Sequence, residues 1–216
     1  MSQQAALSKM FSVLDHPLIE IKMTTLRDKD TPPQQFRQTL REIAGLMSFH
    51  VFNHLRFDEW DVHTPLETTT GRYLQNPVPC LLSVLRAGNG LVDAFSAILP
   101  EAAIGHLGVQ RDPKTHKPVY YYEKLPPDIA KRQVIIADPM LATGGSAIMA
   151  ADQMKKKGCN GLLFVCLIAA PEGVSAFQNA HPNIPVITAA LDRQLNENCY
   201  ILPGLGDAGD RIYNTV

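Results

Sequence analysis

From residue 78 onward, short runs of apolar and often β-branched residues alternate with longer stretches of helical composition. Nearly continuous apolar strands are typical of a parallel sheet that is covered by helices on both faces. The pattern therefore predicts an α/β fold with a mostly parallel sheet flanked by helices. The predicted strands are Val78–Leu85, Ile104–Val109, Gln133–Asp138, Leu162–Ile168 and Val186–Ala190, and the predicted helices between them are Gly90–Leu99, Gly145–Lys157 and Glu172–Ala180.

The N-terminal third has a different pattern. Apolar residues recur at helical spacing within Thr31–His54, at Phe36, Leu40, Ile43, Leu46 and Met47. We expect one domain over residues 1–216, with a helical segment over about 1–75, a ligand-binding core over about 76–190 and a C-terminal segment over about 191–216.

One stretch interrupts the alternation of strands and helices. Thr115–Tyr122 carries a proline, a valine and three consecutive tyrosines, and aromatic and β-branched residues favour strands. We predict a two-stranded arm that projects from the sheet.

Charge and composition exclude several classes of function. The net charge of −1 lacks the excess of cations that binding to a nucleic-acid backbone requires. The longest apolar run, Leu162–Ala170, has nine residues, too few for a membrane-spanning helix. The N-terminus lacks the pattern of a secretory signal, so we expect a cytoplasmic protein. The four cysteines form no C-x-x-C pair, which speaks against a zinc site.

The most informative motif follows the predicted strand that ends in Asp138. A short spacer leads into Ala142-Thr143-Gly144-Gly145-Ser146, and a helix follows. Glycines let consecutive amide groups converge on one point, and a helix N-terminus adds partial positive charge, so the loop suits a phosphate. Asp138 is placed to accept hydrogen bonds from sugar hydroxyls. The sequence predicts a sugar-phosphate site, although the loop alone could be a simple helix cap.

Two arginines also follow predicted strands. Arg86 ends the Val78–Leu85 strand beside Ala87-Gly88, and Arg111 follows the Ile104–Val109 strand. Guanidinium groups bind diphosphates well. In ligand sites of parallel sheets, the loops at the carboxyl ends of the strands meet, so both arginines are candidates for the same anion.

The C-terminal region contains a glycine-rich loop, Ile201 to Asp210, with the sequence Ile-Leu-Pro-Gly-Leu-Gly-Asp-Ala-Gly-Asp. Such a loop leaves main-chain groups free to bond a ligand. A rigid main chain can present donors and acceptors to the edge of a pyrimidine base. The alternative is a tail that only closes the sheet.

Together these segments resemble the type I phosphoribosyltransferases, and in particular the uracil phosphoribosyltransferase branch. The resemblance rests on Asp138 to Ser146, on an arginine before Pro118–Tyr122, and on the segment Gly204 to Asp210. It spans Arg86 to Arg211 in order. Asn89 departs from the family pattern, in which an apolar residue is more usual.

The resemblance implies roles for individual residues in binding 5-phosphoribosyl 1-diphosphate (PRPP) and uracil. It places catalytic roles on Asp138, Arg111 and Asp207. The residues implied to bind PRPP are Arg86, Arg111, Asp138, Pro139, Met140, Leu141, Ala142, Thr143, Gly144, Gly145, Ser146 and Asp207, and those implied to bind uracil are Ile201, Gly206, Asp207 and Ala208.

The resemblance also implies Mg²⁺ held mainly by PRPP without dedicated protein ligands, a homodimer or larger assembly, and, as in part of the family, GTP as an effector. Two other functions stay open: a regulator that binds PRPP without turnover, and a transferase for another nucleobase. Trp60 is interpreted as a surface or subunit contact. Arg27 and Arg37 are left open, as ligands of an effector or as contacts to a neighbouring subunit.

Overall fold

A computed structural model describes residues 10–111 and 118–215 of the protein. Its strands are β1 Phe11–Val13, β2 Phe57–His63, β3 Thr68–Leu74, β4 Cys80–Leu85, β5 Ala103–Arg111, β6 Pro118–Lys124, β7 Gln133–Ala137, β8 Met140–Leu141, β9 Gly161–Ala169, β10 Val186–Leu191, β11 Gln194–Leu195 and β12 Ile201–Leu202. The main sheet has the strand order β1-β10-β9-β7-β4-β5-β6, and the short β8 also pairs with β9. All of these pairs are parallel except β5 with β6. The predicted fold class is thus confirmed.

Six α-helices within the described residues cover the two faces of the sheet. They are α1 Pro17–Arg27, α2 Pro33–Val51, α3 Asn89–Ile98, α4 Gly145–Lys156, α5 Pro171–Ala180 and α6 Ala208–Tyr213. The buried residues of these helices fall into two separate apolar clusters, so α1, α2, α3 and α6 cover one face and α4 and α5 cover the other.

The central strands are apolar on both faces because helices cover both faces. In β4, Leu81 packs in one apolar cluster and its neighbour Leu82 in the other. In β7, Ile135 and Ile136 divide in the same way. The parallel register aligns the strand ends, so that Ser83 of β4 lies opposite Ala137 of β7. The loops after β4 and β7 therefore emerge side by side.

The N-terminal segment differs from the prediction. The helix predicted within residues 31–54 is present as α2, but α1 precedes it and the hairpin β2–β3 follows it. The prediction of a helical segment over about 1–75 is therefore incomplete, because the described part of this segment also contains strands. The hairpin gave no strand signal because most of its residues face solvent on both sides, and a strand without a buried face has no apolar alternation.

The predicted arm begins in the antiparallel pairing of β5 with β6, in which Val109 lies opposite Tyr120 and Arg111 opposite Pro118. A shift of register between Gly108 and Val109 marks a bulge. Residues 112–117, which include the first part of the predicted stretch Thr115–Tyr122, lie outside the described residues. None of the helices in the described ranges is long and apolar enough to cross a membrane.

Candidate active site

A cleft of about 710 Å³ opens at the carboxyl ends of β4, β5 and β7, where the loops after β4 and β7 meet the C-terminal segment. This is the position at which parallel α/β sheets bind their ligands. The residues that line the cleft are Leu85, Arg86, Ala87, Val109, Tyr121, Asp138, Met140, Ser146, Asp207, Ala208 and Gly209.

Asp138 stands directly after β7 and is partly buried at the base of the cleft. The pKa of its carboxyl group is raised to about 6, mainly by burial and to a smaller extent by the negative charge of Asp207. Two hydrogen bonds act in the opposite direction: Ser146 Oγ donates to Asp138 Oδ2 over 3.1 Å, and the Met140 main chain also donates to the carboxylate. The result is an acceptor that stays ionised near neutral pH and titrates just below it.

The last part of the loop between β7 and α4, together with the first residues of α4, presents amide groups without protein partners. Within the described ranges, no main-chain N–H from Thr143 to Ser146 donates to another protein group. Gly144 is the residue that caps α4, and its φ of 83° lies in the left-handed region that glycine adopts without strain. Four N–H groups without protein acceptors therefore lie at the N-terminus of a helix, a position that suits an anion.

Pro139 and Leu141 support this loop from within. Both residues are buried. The Pro139 carbonyl accepts a hydrogen bond from the Leu167 amide of β9 over 3.0 Å, and the Leu141 carbonyl accepts one from the Ala170 amide over 2.9 Å. Of the spacer residues, only Met140 reaches the cleft wall. The short strand β8 thus anchors the loop to the sheet.

Arg86 begins the loop after β4, and the Leu85–Arg86 peptide bond is cis. Its guanidinium group is more than half exposed and lies 3.5 Å from Asp210 Oδ1. The Tyr213 hydroxyl donates to the Arg86 carbonyl over 2.8 Å, and the Tyr213 ring centroid lies 5.6 Å from the guanidinium carbon. Helix α6 therefore holds Arg86 at the cleft, while its exposed charge remains accessible to an anion.

The turn after Arg86 requires a glycine and accommodates the unusual Asn89. A Cβ atom at Gly88 would come within 2.4 Å of the Ala137 carbonyl oxygen at the end of β7, so the turn leaves no room for a side chain there. Ser83 Oγ donates to Asn89 Oδ1 over 2.8 Å. The polar side chain of Asn89 is therefore accommodated by a hydrogen bond from the buried Ser83.

The C-terminal loop forms the opposite wall of the cleft. Asp207 caps α6, since its Oδ1 accepts the Asp210 amide at 2.9 Å, and the buried Ala208 follows at the cleft surface. Gly206 adopts a φ of 79° just before them. The side chain of Ile201 is buried in the core and lies behind the cleft surface.

Six of the predicted site residues line the cleft, namely Arg86, Asp138, Met140, Ser146, Asp207 and Ala208. The predicted residues that do not line it are Pro139, Leu141, Ala142, Thr143, Gly144, Gly145, Ile201 and Gly206. Five residues of the cleft wall were missed. Each lies beside a motif residue or on the arm, so proximity to a motif was the only signal in the sequence. The side chain of Arg111 lies outside what the structure describes, although its main chain ends β5 beside the cleft. The missed residues are Leu85, Ala87, Val109, Tyr121 and Gly209.

Comparison with known proteins shows the family to which this chain belongs. A family model described as uracil phosphoribosyltransferase matches residues 13–215. The chain belongs to the uracil phosphoribosyltransferase family. A uracil phosphoribosyltransferase of Dictyoglomus turgidum is 50% identical over 206 residues, which cover 95% of this chain and 100% of the relative. One from Lactiplantibacillus plantarum is 50% identical over 205 residues, covering 95% and 98%.

Solved structures share the fold of this chain. The AQ2163 protein of Aquifex aeolicus superposes with a TM-score of 0.88 at 33% identity and covers 95% of this chain and 99% of its own. An adenine phosphoribosyltransferase of Trypanosoma brucei has a TM-score of 0.59 at 14% identity over 93% of this chain and 89% of its own, which shows a shared fold. As a uracil phosphoribosyltransferase by family, the protein is a pentosyltransferase of the class that salvages uracil as UMP. The predicted family is confirmed.

Proposed function

We propose that this cleft transfers the 5-phosphoribosyl group of PRPP to N1 of uracil in the cytoplasm, releasing UMP and diphosphate. The observation that carries the proposal is that three chemically distinct groups line one cleft: Ser146 at the N-terminus of α4, the carboxylate of Asp138, and Asp207 to Gly209 of the glycine-rich C-terminal segment.

The 5-phosphate of PRPP is proposed to bind the loop from Ala142 to Ser146. Its unpartnered N–H groups and the N-terminus of α4 favour a dianion. The ribose hydroxyls then lie near Asp138, whose carboxylate already accepts hydrogen bonds from Ser146 and Met140. Pro139 and Leu141 contribute to this site through the main chain that they anchor.

The diphosphate of PRPP is proposed to lie between Arg86 and Arg111. When it leaves the anomeric carbon, positive charge develops on the sugar and negative charge on the departing group. Guanidinium groups that are already placed at the departing oxygens stabilise that charge separation and lower the barrier. Asp138, in turn, lies on the side where the sugar becomes cationic.

The residues present fit a magnesium ion that is held mainly by the substrate. Two carboxylates, Asp138 and Asp207, face the cleft, whereas the described ranges hold no cluster of three or more metal-ligating side chains. Magnesium commonly binds through one or two carboxylates together with phosphate oxygens and water. When bound, the ion supplies positive charge to the diphosphate leaving group.

Uracil is proposed to bind the main chain of Ile201 and of Gly206 to Ala208. A pyrimidine edge offers carbonyl, N–H and carbonyl in sequence, and a fixed main chain can match it without loss of side-chain entropy. Placing N1 against the anomeric carbon can contribute about 7 to 11 kcal/mol in favourable systems. Asp207 lies where it can orient both substrates, because its carboxylate caps α6 and faces the cleft.

The proposal extends to a homodimer or larger assembly with GTP as its effector. Assembly is supported by apolar side chains that the hairpin β2–β3 exposes: Trp60 is 64% and Tyr73 50% exposed, and their rings lie 6.5 Å apart. Paired exposed aromatics on a projecting hairpin are typical of subunit contacts. The effector rests on the family resemblance alone.

The experiment that tests the proposal incubates the protein with PRPP, magnesium and one nucleobase at a time, and measures nucleotide and diphosphate. UMP formed from uracil, with no nucleotide from adenine, guanine, hypoxanthine or cytosine, is the expected result. Binding of PRPP without diphosphate release would favour a regulator without turnover. Turnover with another base would reassign the glycine-rich loop.

A further inference from the structure

A partly buried ion pair joins the N-terminal part of the chain to its C-terminal part. Arg27, the last residue of α1, donates from Nη1 to Asp192 Oδ2 at 2.8 Å and from Nη2 to Oδ1 at 2.6 Å. Asp192 follows β10 and is buried. Two parallel hydrogen bonds between a guanidinium group and a carboxylate fix both position and orientation.

Both partners of this pair also bind the main chain of Gly204. The Gly204 amide donates to Asp192 Oδ2 over 2.7 Å, and the Gly204 carbonyl accepts from Arg27 Nη1 over 2.9 Å. Both main-chain groups of a single residue are therefore held by one ion pair. Gly204 has a φ of 69°, and a Cβ atom there would meet the Ile201 carbonyl oxygen at 2.1 Å.

Gly204 lies between Ile201 and Gly206, within the loop proposed to read the base. A second arginine fixes the next residue: Arg211 donates to the Leu205 carbonyl over 2.9 Å and to the Asp28 carbonyl just beyond α1. The end of α1 is thus attached to the loop at two consecutive residues. A main chain can discriminate a base only if it is held rigidly, and these contacts hold it.

We propose that Arg27 and Asp192 are positioning residues for uracil, which set the geometry of the loop without touching either substrate. The inference rests on the proposed function and gives the N-terminal segment a part in base recognition. Neither residue lines the cleft, and the amides proposed for the 5-phosphate lie on a separate loop before α4. Loss of the pair should therefore weaken uracil binding and leave PRPP binding intact.

Two variants test the positioning role. Arg27→Lys keeps the positive charge but loses the bidentate hydrogen bonds, and Asp192→Asn keeps the shape of the side chain but loses its charge. The matched control is Lys22→Ala, which removes an ion pair between α1 and α2 that lies away from the loop. In this pair Lys22 Nζ lies 2.5 Å from Glu42 Oε2. Thermal unfolding shows whether each variant is folded, and Arg27→Lys is the milder change should Asp192→Asn fail to fold.

Two measurements report on the loop. The first is the Michaelis constant for each substrate with the other saturating. The second is the affinity for UMP relative to ribose 5-phosphate by calorimetry, which isolates the contribution of the base without turnover. We expect both variants to raise the uracil Michaelis constant by about tenfold or more, since a misplacement of about 1 Å can cost on the order of 100-fold.

The PRPP Michaelis constant and the affinity for ribose 5-phosphate should stay within about twofold of wild type, and Lys22→Ala should leave all four values unchanged. Equal weakening of both substrates, or an unchanged UMP affinity in folded variants, would overturn the positioning role. A wild-type protein that makes no UMP would instead remove the proposed function, so the two failures are distinguishable.

Discussion

A carboxylate with a raised pKa faces the cleft and makes the site sensitive to pH. Asp138 has a pKa of about 6 because burial disfavours its charge, while Ser146 and Met140 partly restore the charged form. In the proposed mechanism the charged carboxylate accepts hydrogen bonds from the ribose hydroxyls and faces the positive charge that develops on the sugar. Activity should therefore fall as the pH drops through about 6, where protonation removes the charge and weakens the acceptor.

This pH dependence can be tested with Ser146→Ala. The Ser146 hydrogen bond lowers the pKa of Asp138, so its loss should move the acidic midpoint of kcat/KM for PRPP to higher pH, apart from any general loss of phosphate affinity. The control is Asp138→Asn, which should keep the fold and show no acidic midpoint in kcat/KM for PRPP. It should lower kcat by about tenfold to 100-fold, because hydrogen bonds to a charged group, worth about 1.5–3 kcal/mol, are lost. Unaltered kinetics in Asp138→Asn would remove this residue from the mechanism.

Arg111 supplies a second prediction at the level of single residues. Its main chain ends β5 beside the cleft. If its guanidinium group binds the diphosphate, Arg111→Ala should raise the PRPP Michaelis constant by about tenfold or more, since a charged hydrogen bond is lost. Steady-state kinetics measure this. Arg72→Ala, at an exposed arginine of the β2–β3 hairpin, is the matched control, and an equal effect of both substitutions would place Arg111 on the surface.

The motif residues were predictable from the sequence because their chemistry is local. Asp138, Ser146 and Arg86 each follow an apolar strand, and the ends of parallel strands share one edge of the sheet. The pairing of Arg27 with Asp192 was not predictable, because the partners are 165 residues apart and neither lies in a recognisable motif. Contacts of this kind depend on how the helices pack on the sheet.

At the scale of elements, the junction between β7 and α4 depends on the left-handed conformation of Gly144. In Gly144→Ala a Cβ atom would also meet the Gly173 carbonyl oxygen at 3.1 Å. We expect a loss of stability of about 1–2 kcal/mol, the usual cost of that conformation for a residue with a side chain, together with a raised PRPP Michaelis constant. Thermal unfolding and kinetics measure the two effects.

Gly158 provides the matched control for Gly144. It has a nearly equal φ of 88° just beyond α4, with its nearest neighbour at 3.5 Å, and it lies away from the cleft. Gly158→Ala should lose similar stability without a change in the PRPP Michaelis constant. If both variants changed that constant alike, the geometry of the loop at Gly144 would have no specific part in binding.

Sequence patterns predicted the five central strands and helices α2 to α5 to within a few residues, because each has a long apolar face. Helix α1 had a usable signal that was missed: Ile19, Met23 and Leu26 are buried at helical spacing after His16, whose side chain caps the helix. The two-residue strand β8 had none, since it forms only through pairing with β9.

At the scale of the whole molecule, the sheet separates two apolar layers, and the cleft lies where its strand ends meet the C-terminal segment. The β2–β3 hairpin packs Leu74 against one layer and exposes Trp60 and Tyr73, which belong to neither layer. If it forms a subunit contact, Trp60→Lys should shift the assembly toward smaller species. Sedimentation velocity over a range of concentrations measures this, and an assembly that Trp60→Lys leaves intact would place the contact elsewhere.

The central claim is that the main chain from Thr143 to Ser146 binds the 5-phosphate of a ribose held by Asp138. A crystal structure with ribose 5-phosphate tests it most directly. The account predicts phosphoryl oxygens at about 2.7–3.2 Å from those amide nitrogens, with the ribose hydroxyls against Asp138. A phosphate bound elsewhere in the cleft, or amides that have found protein acceptors, would contradict it.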